Sequence, residues 1–237
     1  MTAEAFLAEL LKHQSEAERE KIGRYFKSGE GDYGEGDRFI GVRMGTVFDL
    51  ARQFMAMEPG EIERLLESNI HEARAGAVSI MAKQAGARKT SDDRRRELHE
   101  LYLRRIDRIN NWDLVDLGAW NVVGRYLEDK PRDVLYALAR SDNLWERRTA
   151  ILATLHFVKK GEADDALALS GMLVGDGHDL IHKAVGGVLR SITTKHRERL
   201  KAFLDAHAVT MPRTMLRYAL EHCSAEEKAH YMGLRGR

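Results

Sequence analysis

Residues 145 to 155 read WERRTAILATL, residues 180 to 190 read LIHKAVGGVLR, and residues 211 to 220 read MPRTMLRYAL. Superimposed, the three stretches align Arg148, Lys183 and Arg213, spaced 35 and then 30 residues apart. Upstream, HEARAGAVSIM at 71 to 81 brings Arg74 into the same register, two periods of 37 before Arg148. The stretch NNWDLVDLGAW at 110 to 120 fills the slot between them. Irregular repetition of helix pairs at this spacing predicts an all-α, HEAT-like α-solenoid, an α-α superhelix in which each pair leaves an apolar face that only the next pair covers. Matching positions in successive repeats share one face of such an array, so the recurring cations predict a concave basic face.

Working outward, the punctuation is helical. The three prolines each stand where a helix should begin: Pro59 before GEIERLLES, Pro131 before RDVLYALAR, and Pro212 before RTMLRYALEHC. A residue without an N–H is tolerated there because the first-turn amides have no intrahelical partner. Ser15 with Glu18 and Ser224 with Glu227 have capping-box spacing, and Ser91 and Asn143 precede further periodic runs. No pair of alternating runs joined by a two-residue turn supports a hairpin. The expectation is about a dozen or more helices of roughly 9 to 18 residues with short connections. They form one domain over residues 1–237, with N-terminal helices and a Gly-rich connection at 28–37.

Composition narrows the function classes. With 237 residues, 43% of them hydrophobic, the chain can bury a sizeable core. No apolar run approaches the ~20 residues of a membrane span, and MTAEAFLAELLKHQSEAERE at the start has no signal-peptide architecture. The single Cys223 excludes internal disulfides and cysteine zinc clusters and fits a reducing compartment, so a cytoplasmic protein with no membrane partner is expected. Net charge is only +1, so affinity for nucleic acid has to come from local segregation of charge.

A row of cations on one face suits the backbone of a DNA duplex, which Arg and Lys hold without reading sequence. Arg148, Lys183, Arg190, Arg213 and Arg217 are the candidates, with Lys159 and Lys160 in reserve; Arg94 to Arg96 read better as a solvated outer face. Trp112, Asp116 and Trp120 stand at i, i+4 and i+8, on one face of a helix and in register with Arg148. A carboxylate there repels phosphate, but it would stabilise the positive charge that a deoxyribose develops when its glycosidic bond breaks, or orient the attacking water. An indole beside it adds cation–π attraction of ~0.5 to 2 kcal/mol. Spacing alone favours the alternative: both tryptophans anchor a core, and Asp113 and Asp116 merely favour a helix N-terminus.

The same stretches, NNWDLVDLGAW, SDNLWERRTAIL, HDLIHKAVGGVLR and TMPRTMLRYAL, with YFKSGEGDYGEGDRFIGVR before them, resemble the DNA alkylation repair family of AlkD-like DNA glycosylases. The resemblance runs from about Arg24 to Tyr218. It implies a monofunctional base-excision-repair enzyme that removes cationic N3- and N7-alkylated purines, such as 3-methyladenine and 7-methylguanine, from double-stranded DNA, working as a monomer without a cofactor. Asp116 matches the family's catalytic aspartate, Trp112 an aromatic that packs on the lesion's sugar, and Arg148 an arginine that holds the DNA backbone. Where the family typically has AVGW or AIGW this chain has AVGG, so Gly187 replaces a second sugar-contacting tryptophan. Trp120 and Trp145 read as packing residues. The alternatives are a non-catalytic binder of damaged or branched DNA on the same scaffold, and a HEAT-like protein-interaction scaffold.

Other motifs carry less. GEGDYG at 29 to 34 has dinucleotide-loop spacing, but it follows a helix rather than a strand and its neighbouring acids would repel a pyrophosphate, so a connecting loop is expected. His178 and His182 stand at i, i+4 without a third metal ligand at convincing spacing, which favours surface or capping roles and no metal. Cys223 reads as a small residue of the last helix.

Overall fold

The computed structural model describes residues 1–26, 29 and 33–234. By its contacts the chain divides into two compact units, Met1–Tyr126 and Leu127–Arg237. The first contains α1 (Ala3–Leu11), α2 (Glu16–Phe26), α3 (Met44–Gln53), α4 (Pro59–Leu66), α5 (His71–Gly86), α6 (Asp92–Arg104), a 3-10 turn (Ile106–Arg108), α7 (Trp112–Gly118) and a π-helical turn (Ala119–Gly124). The second contains α8 (Asp133–Ala139), α9 (Leu144–Ala153), α10 (Leu155–Lys160), α11 (Asp164–Leu173), α12 (Asp179–Ile192), α13 (Arg197–His207), α14 (Arg213–Ala219) and α15 (Ala225–Gly233). Among the described residues there is no strand, only an isolated bridge between Arg38 and Ile70. No helix among them is long and apolar enough to cross a membrane. Of the Gly-rich connection at 28–37 and the GEGDYG motif within it, residues 28 and 30–32 lie outside the described residues.

The helix starts follow the expected chemistry. Pro59 opens α4, and Pro212 immediately precedes α14. Ser91 accepts the Arg94 N–H at 3.2 Å, and Asn143 accepts the Trp145 N–H at 2.8 Å. Ser224 and Glu227 form a complete capping box. Ser15 accepts the Glu18 N–H, but Glu18 turns to Lys21 and Arg43, at 3.0 Å each, instead of closing a box.

Each unit is organised on one central helix. In the first this is α5, packed against α3, α4, α7 and the π-helical turn. Every residue from His71 to Met81 is buried, which explains the small side chains of HEARAGAVSIM: a helix surrounded on all sides needs narrow faces. A Cβ at Gly76 would lie 2.3 Å from the Phe6 ring, so glycine admits α1 there. In the second unit α12 packs against α9 and α14. A Cβ at Gly186 would lie 2.5 Å from Tyr218 Cβ and 2.6 Å from the Met215 carbonyl oxygen, so the first glycine of AVGG is required by the close approach of α14.

Two expectations are corrected. The regular α-helix that carries Trp112 ends at Gly118, and Trp120 stands in the π-helical turn that follows rather than on the same regular helix as Trp112 and Asp116. Cys223 lies in the bend between α14 and α15 rather than in a helix.

Candidate active site

Asn111 caps α7, its Oδ1 accepting the Trp112 N–H at 2.8 Å. Helical spacing then separates the two aspartates of WDLVD. Asp113 is buried and Asp116 is exposed. Trp112, Asp116, Leu117 and the edge of Asp113 line one side of a cleft of about 520 Å³, which α2 and the 42–48 segment complete with Glu18, Ile22, Tyr25, Phe26, Val42, Arg43, Met44 and Phe48. The half-buried Trp112 ring stacks on Phe26, centroids 5.3 Å apart and planes inclined by 16°. Tyr25, 68% exposed, meets the same indole edge-on at 5.8 Å. Glu18, at the mouth, is hydrogen-bonded by Arg43 and Lys21, which hold its carboxyl down at about 2. Trp120 is not part of the lining, whereas Trp112 and Asp116 are brought together as the spacing predicts.

Beneath the cleft lies a polar cluster that sequence reasoning missed. Fully buried His71 places Nε2 2.8 Å from Asp113 Oδ2 and Nδ1 3.0 Å from Asp37 Oδ2. Carboxylates only accept, so both ring nitrogens carry protons. Burial pulls the imidazole pKa down, but the bonds to Asp113 and Asp37 outweigh it and raise it to about 9. Asp37 also accepts from Asn111 Nδ2 at 2.7 Å and from Arg74. Burial pushes the Asp37 carboxyl up, yet His71 and Arg74 bring it below its ordinary value. Next to His71, buried Glu72 accepts the backbone N–H groups of Ile40, Gly41 and Val42 at 2.9 to 3.2 Å and so pins the strap that carries Val42 and Arg43 into the cleft wall. Gly41 has φ +80°, and a Cβ there would fall 2.0 Å from the Ser15 carbonyl oxygen, so glycine is needed where the strap crosses the start of α2. The only trace in the sequence is a set of charged residues inside an otherwise apolar helix, HEAR.

The expected row of cations divides. Arg74 is no surface cation: it is buried, donating to the Ser68 carbonyl at 3.2 Å and to Asp37. Arg148 is only 6% exposed and donates Nη1 to the Leu180 carbonyl, 2.5 Å away at the start of α12. Lys183, half exposed, pairs with Asp179 at 2.7 Å, and Arg190 pairs with Glu221. Exposed Arg213 donates to the Met232 carbonyl at 2.7 Å; Arg217 is also exposed. Arg190 lines a second cleft, of about 430 Å³, with Lys159, Lys195, His222, Ser191 and Thr194. Lys160 pairs with Glu128. Arg94 and Arg96 pair with Glu58 and Asp93, while Arg95 donates to the Ala85 and Ala87 carbonyls at the end of α5. A Cβ at Gly187 would meet nothing within 4 Å, so this second glycine borders open space. His178 caps α12 by accepting the Leu180 N–H at 3.1 Å, and His182 bonds the Asp176 carbonyl at 2.5 Å. Among the described residues no group of three or more His, Cys, Asp or Glu could hold a metal ion.

The family model described as "DNA alkylation repair enzyme" matches residues 6–223. The chain belongs to that family. Two solved structures resemble this family member. One is described as a predicted DNA alkylation repair enzyme from Enterococcus faecalis, with a TM-score of 0.70 at 15% identity, covering 90% of this chain and 98% of that one. The other is AlkD2 from Streptococcus mutans, with a TM-score of 0.54 at 16% identity, covering 94% and 100%. At these identities the likeness concerns the fold, an all-helical chain of the helical-repeat kind. No curated protein matches the chain.

Proposed function

We propose that this member of the DNA alkylation repair family is a monofunctional DNA glycosylase that excises cationic N3- and N7-alkylated purines from duplex DNA. The observation that carries the reading is the pairing, on one turn of α7, of exposed Asp116 with half-buried Trp112 at the edge of an aromatic cleft. An alkylated purine already bears positive charge. When its glycosidic bond to C1′ breaks, the electron pair goes to the base, which leaves neutral, and the charge moves to the sugar. Asp116 stabilises that cation and accepts a proton from the water that adds to C1′. Trp112 offers its indole face to the same centre. No general acid is required for a neutral leaving group, and an unmodified purine, lacking that activation, is a poor substrate.

Duplex binding falls to exposed Arg217 and to Lys183, Arg190 and Arg213, whose partners Asp179, Glu221 and the Met232 carbonyl are exchangeable for phosphates. Arg148, as described, supports α12 through the Leu180 carbonyl; a phosphate contact would require that its guanidinium turn outward. The reading places the protein in the cytoplasm, where the thiol of Cys223 stays reduced. A second reading, a non-catalytic binder of damaged DNA, draws on the open space beside Gly187, where an aromatic wall is missing.

The test is release of free 3-methyladenine and 7-methylguanine from methylated duplex DNA by the wild type and by Asp116→Asn. The glycosylase reading expects release that falls on the order of 100-fold in the variant with duplex binding retained. Release no faster than the spontaneous rate, with DNA bound, would favour the binder.

A further inference from the structure

The Asp37–His71–Asp113 cluster touches no cleft surface through His71, yet it brackets the residue on which the cleft depends. Asn111, before Trp112, is tied to Asp37; Asp113, after it, is tied to His71, and its other oxygen accepts the Leu114 N–H at 2.9 Å. The Trp112 ring is held from below as well, because the Phe26 ring on which it stacks lies 5.1 Å from the His71 ring. We propose that His71, as a buried imidazolium, is a positioning residue that sets the first turn of α7 and thereby the placement of Trp112 and Asp116. What those two residues do rests on the glycosylase reading; how they are held does not.

The charges around the ring explain why the proton matters. Asp37 faces it from the strap and Asp113 from α7; Arg74, on the same helix, bonds Asp37, and Glu72 is turned to the 40–42 amides. Phe26 and Phe39 flank the ring at 5.1 and 4.7 Å, where aromatic faces favour a cation. Two carboxylates therefore balance two cations around an imidazole ring that is itself fully buried. A neutral imidazole has one N–H and one lone pair. It would satisfy one carboxylate and turn a lone pair on the other at about 3 Å, leaving a net negative charge buried. Either Asp113 or Asp37 would have to move, and each carries one flank of Trp112.

The decisive measurement is 15N-resolved NMR of the wild type across alkaline pH, with the Trp112 indole signal identified by its loss in Trp112→Phe. His71 should be doubly protonated at neutral pH and titrate near 9, and the Trp112 signal should move with the same midpoint while that of Trp145 stays. A neutral His71 at neutral pH, or a Trp112 signal indifferent to its titration, overturns the proposal. In parallel, single-turnover base release should decline as pH rises through about 9 in the wild type. In His71→Gln that limb should vanish and the neutral-pH rate should be lower by about tenfold, with duplex affinity unchanged. An unaltered rate and pH profile in a folded His71→Gln also overturns it. Should that variant not fold, the NMR titration decides alone; should the wild type release no base, the glycosylase reading falls while the titration still judges the positioning role.

Discussion

The two units hold their candidate residues by opposite means. In Met1–Tyr126 the pair Trp112 and Asp116 stands on a buried, cross-linked frame of Asp37, His71, Asn111 and Asp113. In Leu127–Arg237 the cations Lys183, Arg190 and Arg213 are tethered near the surface, to Asp179, Glu221 and the Met232 carbonyl. The difference matches what the glycosylase reading asks of each. A carboxylate that must face a transient cation gains from being fixed in advance, whereas a side chain that meets a phosphate can trade one exposed partner for another at little cost.

The strongest way to break this contrast is Asp113→Ala. Removing one partner of a buried ionic cluster should cost about 3 kcal/mol by urea denaturation, and a negligible loss would mean that the frame is not a frame. Its pH signature sharpens the point. His71 carries a folded-state value of about 9 against 6.5 for the free side chain. The stabilisation is therefore fully present below about 6.5 and is lost as pH rises through about 9, a decline that Asp113→Ala should flatten. The adjacent glycines of α12 give a smaller, signed test. Gly186→Ala should destabilise by about 1 to 3 kcal/mol because backbone and Cβ atoms of α14 occupy the space. Gly187→Ala should stabilise by about 0.5 to 1 kcal/mol, since a helical glycine bordering open space gives up only its excess freedom. The smallest effect belongs to Lys183→Gln: stability should stay within about 0.5 kcal/mol, while the salt dependence of duplex binding loses about one unit of slope. A large loss of stability there would erase the distinction between the units.

How far the sequence could be read follows the same divide. Helix starts at Pro59, Ser91, Asn143 and Ser224 were legible because caps are local chemistry. Trp112 and Asp116 were legible as neighbours because four residues make one turn. The depth of Arg74 and Arg148 was not, because a repeat register gives a residue's angle about its helix and says nothing of what covers it. Asp113 and Asp116, three residues apart, look alike in WDLVD; only the distant His71 makes one of them structural. Asp37 was hidden for the same reason, since it lies in a loop and its partners are 34, 37 and 74 residues away. The π-helical turn left no signal in the apolar run AWNVVG.

Those separations set this cluster apart in time as well as in space. Helical repeats fold largely through neighbours in sequence, each pair closing on the one before it. The bond from Asn111 to Asp37 instead spans 74 residues, and the strap, α5 and α7 must all be present before any of the three carries its full set of partners. Along a growing chain, α1 to α6 can therefore emerge and pack while Asp37 and His71 still lack Asn111 and Asp113, so the cleft is completed only when α7 arrives to neutralise what the earlier helices have buried.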